Sequence, residues 1–387
     1  MPRVRRRHVL GALVAAPWVL RGPAAGASLP PLEQLVLVAD RTRPVVSLVH
    51  SADAAIVGSV PLPAPAWQLA LVPERGLLLA SDRDSRTIAA IEIGSGRMLW
   101  RLELDHEPEH MQLDPSGTIL AVSNFYQDRI GLVPLDRPVW RDIPGLPRPH
   151  NFVFAGDGRT LAVATMGQDA VALVDLASAA RRAVIPVDLP GLRNEPAWRD
   201  QGHVGMTDLT VTPERRLAVV VPVQGTELAV VDLVDERQIA AIEVGDTPWR
   251  VYAAATGRRF AVPNVGDGTV SLIAAEGWRE GRRLPGGGDM TWAIFAWFDQ
   301  GVYVNDRATR SLLVIDADRG EPSGRIELPG TPEAGLLDPE GRRLVVALPD
   351  AGEIALIDPR HAELVARVAV GGEPHALATA GSLNYCN

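Results

Sequence analysis

Histidine, tryptophan and carboxylate side chains recur at matching points of this chain, each close to the start of a short apolar segment. Imidazole nitrogens bind Zn, Cu, Fe and Ni, and flat indole faces suit planar ring systems. A cluster of these groups would therefore bind a metal ion or a flat, metal-bearing ligand. The plainer alternative, that positions after a turn tolerate many residue types, stays open. The candidate set is Trp67, Glu109, His110, His150, Thr207, Asp208, Trp249, Trp292, Glu333 and His375.

One part of this set lies in a segment, 106–110, that matches the H-E-x-x-H pattern of zinc proteases. That mechanism needs both histidines on one face of a helix. Pro108 breaks such a helix because proline lacks the backbone N–H and clashes with the preceding turn. The sequence therefore disfavours a protease but leaves a loop metal site open. Its candidate ligands are Glu109, His110, His150 and His375.

The elements that position these residues recur at a nearly constant interval. Eight apolar, β-branched segments are spaced 42, 42, 41, 57, 42, 42 and 42 residues apart. Such a period, with turn punctuation and no helical stripe, is typical of one repeated four-stranded unit. We therefore predict an all-β fold, an eight-bladed β-propeller of four-stranded antiparallel blades. The anchors of the eight segments are Val49, Ile91, Val133, Val174, Val231, Ile273, Ile315 and Ile357.

The two ends of the chain predict how the ring closes. The segment 35–60 supplies three strands of a first blade without its inner strand, and 375–378 supplies one surplus inner strand. Pairing the N- and C-terminal strands removes the exposed edges of the ring. We expect one domain over residues 28–380 and a tail over 381–387.

The single long interval marks an insertion of about 15 residues over 190–203, which contains His203. It lies between an outer strand and the next inner strand. In propellers these connections share a face with the loops between second and third strands. The insertion therefore predicts a lid or site loop at the mouth of the central channel.

Composition excludes several classes of function. The chain has no lysine, so Schiff-base chemistry and a Walker-A phosphate loop are excluded. After residue 27 the chain has a net charge of −14 and no basic cluster, which argues against nucleic acid or an anionic membrane as partner. Cys386 is the single cysteine, which excludes an internal disulfide. No C-x-x-C-H, G-x-S-x-G or dinucleotide motif is present, so no reaction type is indicated.

The first 27 residues read as an export signal peptide. They combine five arginines, an apolar run and a small-residue cleavage site. The run is too short to span a bilayer. Arg6 and Arg7 fit a twin-arginine signal, with an ordinary secretory signal as the alternative. We expect a periplasmic mature protein with a net charge of −14.

Three segments, 245–264, 302–305 and 371–378, resemble the repeat of the YVTN family of bacterial β-propellers. An exported chain with eight blades also resembles the d1-haem propellers, namely the d1 domain of cytochrome cd1 nitrite reductase and the periplasmic propeller of d1-haem biosynthesis. This resemblance implies a tetrapyrrole such as haem d1 in the axial cavity, with histidine as axial ligand or catalytic helper. The lack of a C-x-x-C-H motif separates the chain from the reductase itself. The cofactor-binding residues implied are His150, His375, His110, His203, Trp67, Trp249 and Trp292.

Three functions stay open from the sequence. The first is a periplasmic propeller that binds a tetrapyrrole or a metal-bearing small ligand at the channel mouth, in cofactor maturation or an accessory redox role. The second is a lactonase-type metal-dependent hydrolase that uses Glu109, Asp208 and Glu333. The third is a protein-interaction subunit or chaperone for a periplasmic oxidoreductase, since an acidic surface suits a basic partner.

Overall fold

The computed structural model describes residues 29–190 and 205–380. The predicted export signal, the insertion from residue 191 onward with His203, and the tail with Cys386 lie outside these residues. Three short 3-10 turns, Leu32–Gln34, Pro73–Arg75 and Pro349–Ala351, accompany the strands. None of the helices in the described ranges is long and apolar enough to cross a membrane.

The described residues form eight four-stranded antiparallel sheets, which confirms the predicted β-propeller. In chain order the strands are β1 (Leu35–Asp40), β2 (Val45–His50), β3 (Ala55–Pro61), β4 (Gln68–Val72), β5 (Leu77–Asp82), β6 (Thr87–Glu92), β7 (Arg97–Glu103), β8 (Met111–Leu113), β9 (Ile119–Asn124), β10 (Arg129–Pro134), β11 (Arg141–Pro144), β12 (Pro149–Phe154), β13 (Thr160–Thr165), β14 (Ala170–Asp175), β15 (Ala180–Pro186), β16 (Met206–Val211), β17 (Leu217–Pro222), β18 (Glu227–Asp232), β19 (Arg237–Glu243), β20 (Tyr252–Ala253), β21 (Arg259–Asn264), β22 (Thr269–Ala274), β23 (Arg279–Pro285), β24 (Ala293–Ala296), β25 (Gly301–Asp306), β26 (Ser311–Asp316), β27 (Glu321–Glu327), β28 (Gly335–Leu337), β29 (Leu344–Leu348), β30 (Glu353–Asp358), β31 (Glu363–Ala369) and β32 (Pro374–Ala378).

The first blade closes the ring. Its strands lie in the order β3-β2-β1-β32, and β32 pairs antiparallel with β1, with Leu37 opposite Ala378. Blades 2 to 8 are the consecutive groups of four strands from β4 to β31, each with its first strand innermost. The predicted closure by strands from both ends of the chain is therefore confirmed.

Apolar runs in the second and third strands reflect the stacking of the blades. Strands such as β1 and β13 are buried along their whole length, because each blade packs another sheet on both faces. Outer strands such as β7 are mostly exposed and carry charged residues. Each apolar cluster spans neighbouring blades, so a single blade could not bury its own surface.

The periodic anchors mark a bulge between the third and fourth strands. In seven blades the register shifts at the anchor, as at Leu48/Val49 and Ala90/Ile91. Such a bulge increases the local twist of the sheet. The anchor residues therefore recur for two reasons: each occupies a core position, and in seven blades each lies at this bulge.

The inner strand of blade 6 is shorter than the sequence indicates. The pattern predicts it from Pro248 onward, whereas the structure confines it to β20, with an isolated bridge between Pro248 and Asn264. Proline cannot donate to a ladder, and Thr247 before it has a φ of 51°. Arg250 in this irregular stretch is buried in an ion pair with the neighbouring blade.

Candidate functional site

Side chains at the starts of the inner strands join neighbouring blades at one end of the channel. The indole N–H of Trp67 donates to the carbonyl of Glu109 at 3.1 Å, and that of Trp292 donates to the carbonyl of Glu333 at 3.1 Å. The Nε2 of His375 lies 3.2 Å from the carbonyl of Trp67. The repeat places these donors and acceptors at equal height in adjacent blades. The backbone of the next blade therefore fixes the orientation of each ring.

A cavity of about 430 Å³ opens beside these residues. Trp67 lines it from blade 2 and Trp292 from blade 7, while His375 of blade 1 and Glu333 of blade 8 lie between them in the ring order. Ligand pockets for small molecules fall in this range of volume and combine aromatic walls with few polar groups. The site therefore has the size and lining of a small-molecule pocket.

The cavity lies beside blades 7, 8 and 1 because of the residue that follows Trp292, Glu333 and His375 in the repeat. In blades 7, 8 and 1 the position holds Ala293, Ala334 and Ala376, and all three line the cavity. In blades 2 to 6 the same position holds larger polar residues. These are Gln68, His110, Asn151, Asp208 and Arg250. Small side chains thus leave space on one side, and large ones fill the other.

One arginine–glutamate pair lines the cavity, and a second lies next to Trp67. Arg41 Nη2 is 2.7 Å from Glu333 Oε1, and both residues line the cavity. Arg83 Nη2 is 3.3 Å from Glu109 Oε2, and its guanidinium lies 4.6 Å from the centre of the Trp67 ring. Burial raises the pKa of Glu109, although the charge of Arg83 opposes the shift. Arg41 therefore gives the cavity a guanidinium group, which can bind a carboxylate.

His375 is the buried imidazole of the cavity, with 4% of its surface exposed. Burial, assisted by the positive charge of Arg41, lowers its pKa to about 4. The ring is therefore neutral near pH 7. Because its Nε2 faces the carbonyl of Trp67, the neutral ring carries its proton on Nε2 and its lone pair on Nδ1. A neutral imidazole is the form that coordinates iron and other metals.

His110 and His150 form a second, separate group that does not line the cavity. Their Nε2 atoms are 3.4 Å apart, and the rings meet edge to face at 4.6 Å. Gln68, which does line the cavity, places its amide nitrogen 3.5 Å from His110 Nδ1. The Nδ1 of His150 lies 2.7 Å from the carbonyl of Thr207. Burial, followed by the charges of His150 and two arginines, lowers the pKa of His110 well below its ordinary value.

Asp208 belongs to a buried structural network. Its Oδ2 lies 2.8 Å from Arg250 Nε, with both side chains 4% exposed, and its Oδ1 accepts from Asn151 Nδ2. Glu109 and Glu333 likewise face arginines. Across residues 29–190 and 205–380, no three His, Cys, Asp or Glu side chains come together as a metal site. The three carboxylates of the hydrolase alternative are therefore each paired with an arginine.

The structure divides the predicted binding residues. It brings Trp67, Trp292 and His375 to one cavity, and it pairs His110 with His150 next to Gln68. Trp249 is 45% exposed and does not line that cavity, and His203 lies outside the described residues. The four predicted metal ligands do not form one group. Their role in binding stays a prediction.

Sequence reasoning missed Gln68 and Arg41. Gln68 follows Trp67 as His110 follows Glu109, so aligning one position further along the repeat would have found it. Arg41 lies in the turn after β1 and carries no repeat signal. Its position next to Glu333 depends on the closure of blade 1 against blade 8.

The fold and the cavity define an eight-bladed propeller with a small-molecule pocket lined by its inner strands. No family model and no curated protein matches the chain. Among solved structures, the chain is similar to dihydro-heme d1 dehydrogenase NirN in complex with DHE, with a TM-score of 0.76 and 16% identity, covering 94% of this chain and 80% of that one.

Two other solved structures are similar. AztD from Citrobacter koseri, in its apo form, matches with a TM-score of 0.62 and 14% identity, over 89% of this chain and 96% of that one. Hydrazine synthase from Kuenenia stuttgartiensis matches with a TM-score of 0.57 and 15% identity, over 76% of this chain and 95% of that one. At these identities the likeness shows the propeller fold alone.

Proposed function

We propose that this protein is a periplasmic propeller that binds a tetrapyrrole of the d1-haem type in the cavity between Trp67 and Trp292. The observation that carries the proposal is His375, a neutral imidazole buried in a cavity with indoles at both sides. An iron already held in a macrocycle needs an axial ligand, and one imidazole can supply it. The predicted export signal supports a periplasmic site of action.

The residues present fit such a group. The indole of Trp67 offers a flat apolar ring to a planar macrocycle, and Trp292, 3% exposed, contributes to the apolar wall. Arg41, at the rim, is suited to the carboxylate substituents of a tetrapyrrole. His375 would hold the metal after its ring turned a nitrogen towards the cavity, since Nδ1 is buried in this structure and Nε2 faces the carbonyl of Trp67. Bound there, a tetrapyrrole iron would supply redox chemistry, and the chain would orient it and shield it from water.

The role that we propose is in cofactor maturation or in an accessory redox step. One structural neighbour is, by its name, a dehydrogenase that acts on dihydro-haem d1. The carboxylates that the hydrolase alternative would use, Glu333, Glu109 and Asp208, each face an arginine. Binding and positioning of a cofactor therefore account for the site better than hydrolysis does.

The test is a titration of the purified protein with ferric haem and, in parallel, with dihydro-haem d1, followed by visible absorption. We expect a shifted Soret band at one equivalent, and a loss of affinity of about tenfold or more in His375→Ala. His361→Ala, an exposed histidine on an outer turn, is the matched control and should bind normally. Equal binding by the His375→Ala variant would overturn the assignment of His375. No binding of either tetrapyrrole would favour the protein-interaction alternative.

A further inference from the structure

The nitrogens of His110 and His150 have a spacing that would suit a metal ion. Their Nε2 atoms are 3.4 Å apart. Two histidine nitrogens on a tetrahedral Zn²⁺, each about 2.0–2.1 Å from the metal, are also separated by roughly 3.4 Å. A second shell is present too, because Nδ1 of His150 faces the carbonyl of Thr207 at 2.7 Å. Geometry alone would therefore make this pair an edge of a metal site.

We propose that Gln68 is a specificity-determining residue, which holds the proton of His110 on Nε2 and so keeps transition-metal ions out of the His110–His150 pair. The inference rests on the proposed function, because excluding free metal ions leaves the channel mouth open to a metal that is already held in a macrocycle. Its physical basis is the tautomer of His110, which the neighbouring hydrogen bonds determine.

The orientation of the Gln68 amide follows from its two contacts. The backbone N–H of Met111 donates to Gln68 Oε1 at 2.8 Å. The amide nitrogen of Gln68 must therefore face His110 Nδ1, at 3.5 Å, and it can only donate. His110 Nδ1 is then the acceptor, and its proton lies on Nε2. That proton points at His150 Nε2, whose own ring proton is directed to Thr207.

A metal ion would need the opposite arrangement. Coordination through Nε2 of His110 requires the proton on Nδ1, where it would oppose the NH₂ group of Gln68. Rotating the amide would relieve that clash but would break the bond from Met111, in a place where Gln68 is 5% exposed. A buried hydrogen-bonding group that loses its partner destabilises the protein. The positive charges of Arg250 and Arg83 also act on His110 and oppose a divalent cation.

Gln68→Glu tests this reasoning, because a carboxylate accepts hydrogen bonds from both sides. One oxygen can keep the Met111 N–H, and the other can accept a proton from His110 Nδ1. The lone pairs of both Nε2 atoms then converge. We expect Co²⁺ and Zn²⁺ to bind Gln68→Glu roughly 100-fold more tightly than wild type, measured by calorimetry and by Co²⁺ absorption. The double variant Gln68→Glu/His110→Ala should lose this gain, which separates the pair from any other metal site.

A second measurement does not depend on any variant. Long-range ¹H–¹⁵N NMR of the wild-type protein reports which ring nitrogen carries the proton. We expect the proton of His110 on Nε2 and that of His150 on Nδ1. Gln300→Glu, which adds the same charge in an exposed turn, should leave metal affinity unchanged.

Three results would overturn the proposal. They are a wild-type His110 protonated on Nδ1, tight wild-type metal binding that is lost in His110→Ala, and a folded Gln68→Glu protein without a gain in metal affinity. Should Gln68→Glu fail to fold, the NMR result decides. None of these assays uses a tetrapyrrole, so the absence of tetrapyrrole binding would contradict the proposed function and leave the metal result standing.

Discussion

His375 should make the stability of the fold depend on pH in a defined direction. Its pKa is about 4 in the folded protein, against about 6.5 in an unfolded chain. As pH falls below 6.5, the unfolded chain takes up a proton on this residue before the folded protein does. The stabilising contribution is therefore complete above pH 6.5 and is lost as pH falls towards 4. The cause is burial of the imidazole next to Arg41, with Glu333 and Asp40 partly opposing the shift.

The magnitude follows from the size of the shift. One pKa unit corresponds to about 1.36 kcal/mol, so the folded protein should lose about 3 kcal/mol through His375 between pH 7 and pH 4. Carboxylates also titrate in this range, so the effect must be measured as a difference. His375→Gln keeps an N–H donor that can reach the carbonyl of Trp67 but cannot take up a proton.

The assay is urea unfolding followed by tryptophan fluorescence at pH 7, 6, 5 and 4. The free energy of unfolding of wild type should fall about 3 kcal/mol further than that of His375→Gln over this range. His361→Gln, at an exposed histidine, should follow wild type. Parallel pH profiles for wild type and His375→Gln would refute the reasoning, because they would show that the ring titrates alike in the folded and unfolded states.

Two further predictions concern the filled and the open side of the ring. Asp208→Ala removes the carboxylate that neutralises buried Arg250, and it should lower the free energy of unfolding by about 3–5 kcal/mol. The control is Asp318→Ala, at an exposed pair with Arg259, which should change the free energy of unfolding by about 0–1 kcal/mol. Urea unfolding of both variants checks this, and equal losses would contradict it. Ala334→Leu should fill part of the cavity and weaken haem binding about tenfold or more. Ala369 is exposed, and the control variant Ala369→Leu should bind haem like wild type. Haem titration followed by absorption measures both, and unchanged binding by Ala334→Leu would place the ligand elsewhere.

The repeat made the architecture predictable, because burial imposes the same apolar pattern on every blade. The eight anchors and the surplus strand at 375–378 were enough to predict the blade number and the closure of blade 1. The mouth positions were also predictable, since Trp67, Trp292 and His375 fall at equivalent points of the repeat.

The side of the ring on which the cavity opens could not be predicted from those positions. Trp249 occupies the same repeat position as Trp292, yet it is 45% exposed while Trp292 is 3% exposed. The difference lies in the next residue, which is Arg250 in blade 6 and Ala293 in blade 7. Arg250 is held in its buried ion pair with Asp208, whereas Ala293 lines the cavity beside Trp292. Such effects depend on contacts between blades, which a pattern within one blade does not contain.

A ring of equivalent units gains a specific site only where the units differ. Here one repeat position separates two halves of the channel. Alanine in blades 7, 8 and 1 creates the space beside His375, and polar residues in blades 2 to 6 fill the opposite half with hydrogen bonds and an ion pair. Gln68 belongs to both halves, because it lines the cavity and also contacts His110. The filled half therefore does more than hold the blades together: through Gln68 it determines where protons lie at the edge of the cavity, and hence which ligands the mouth accepts.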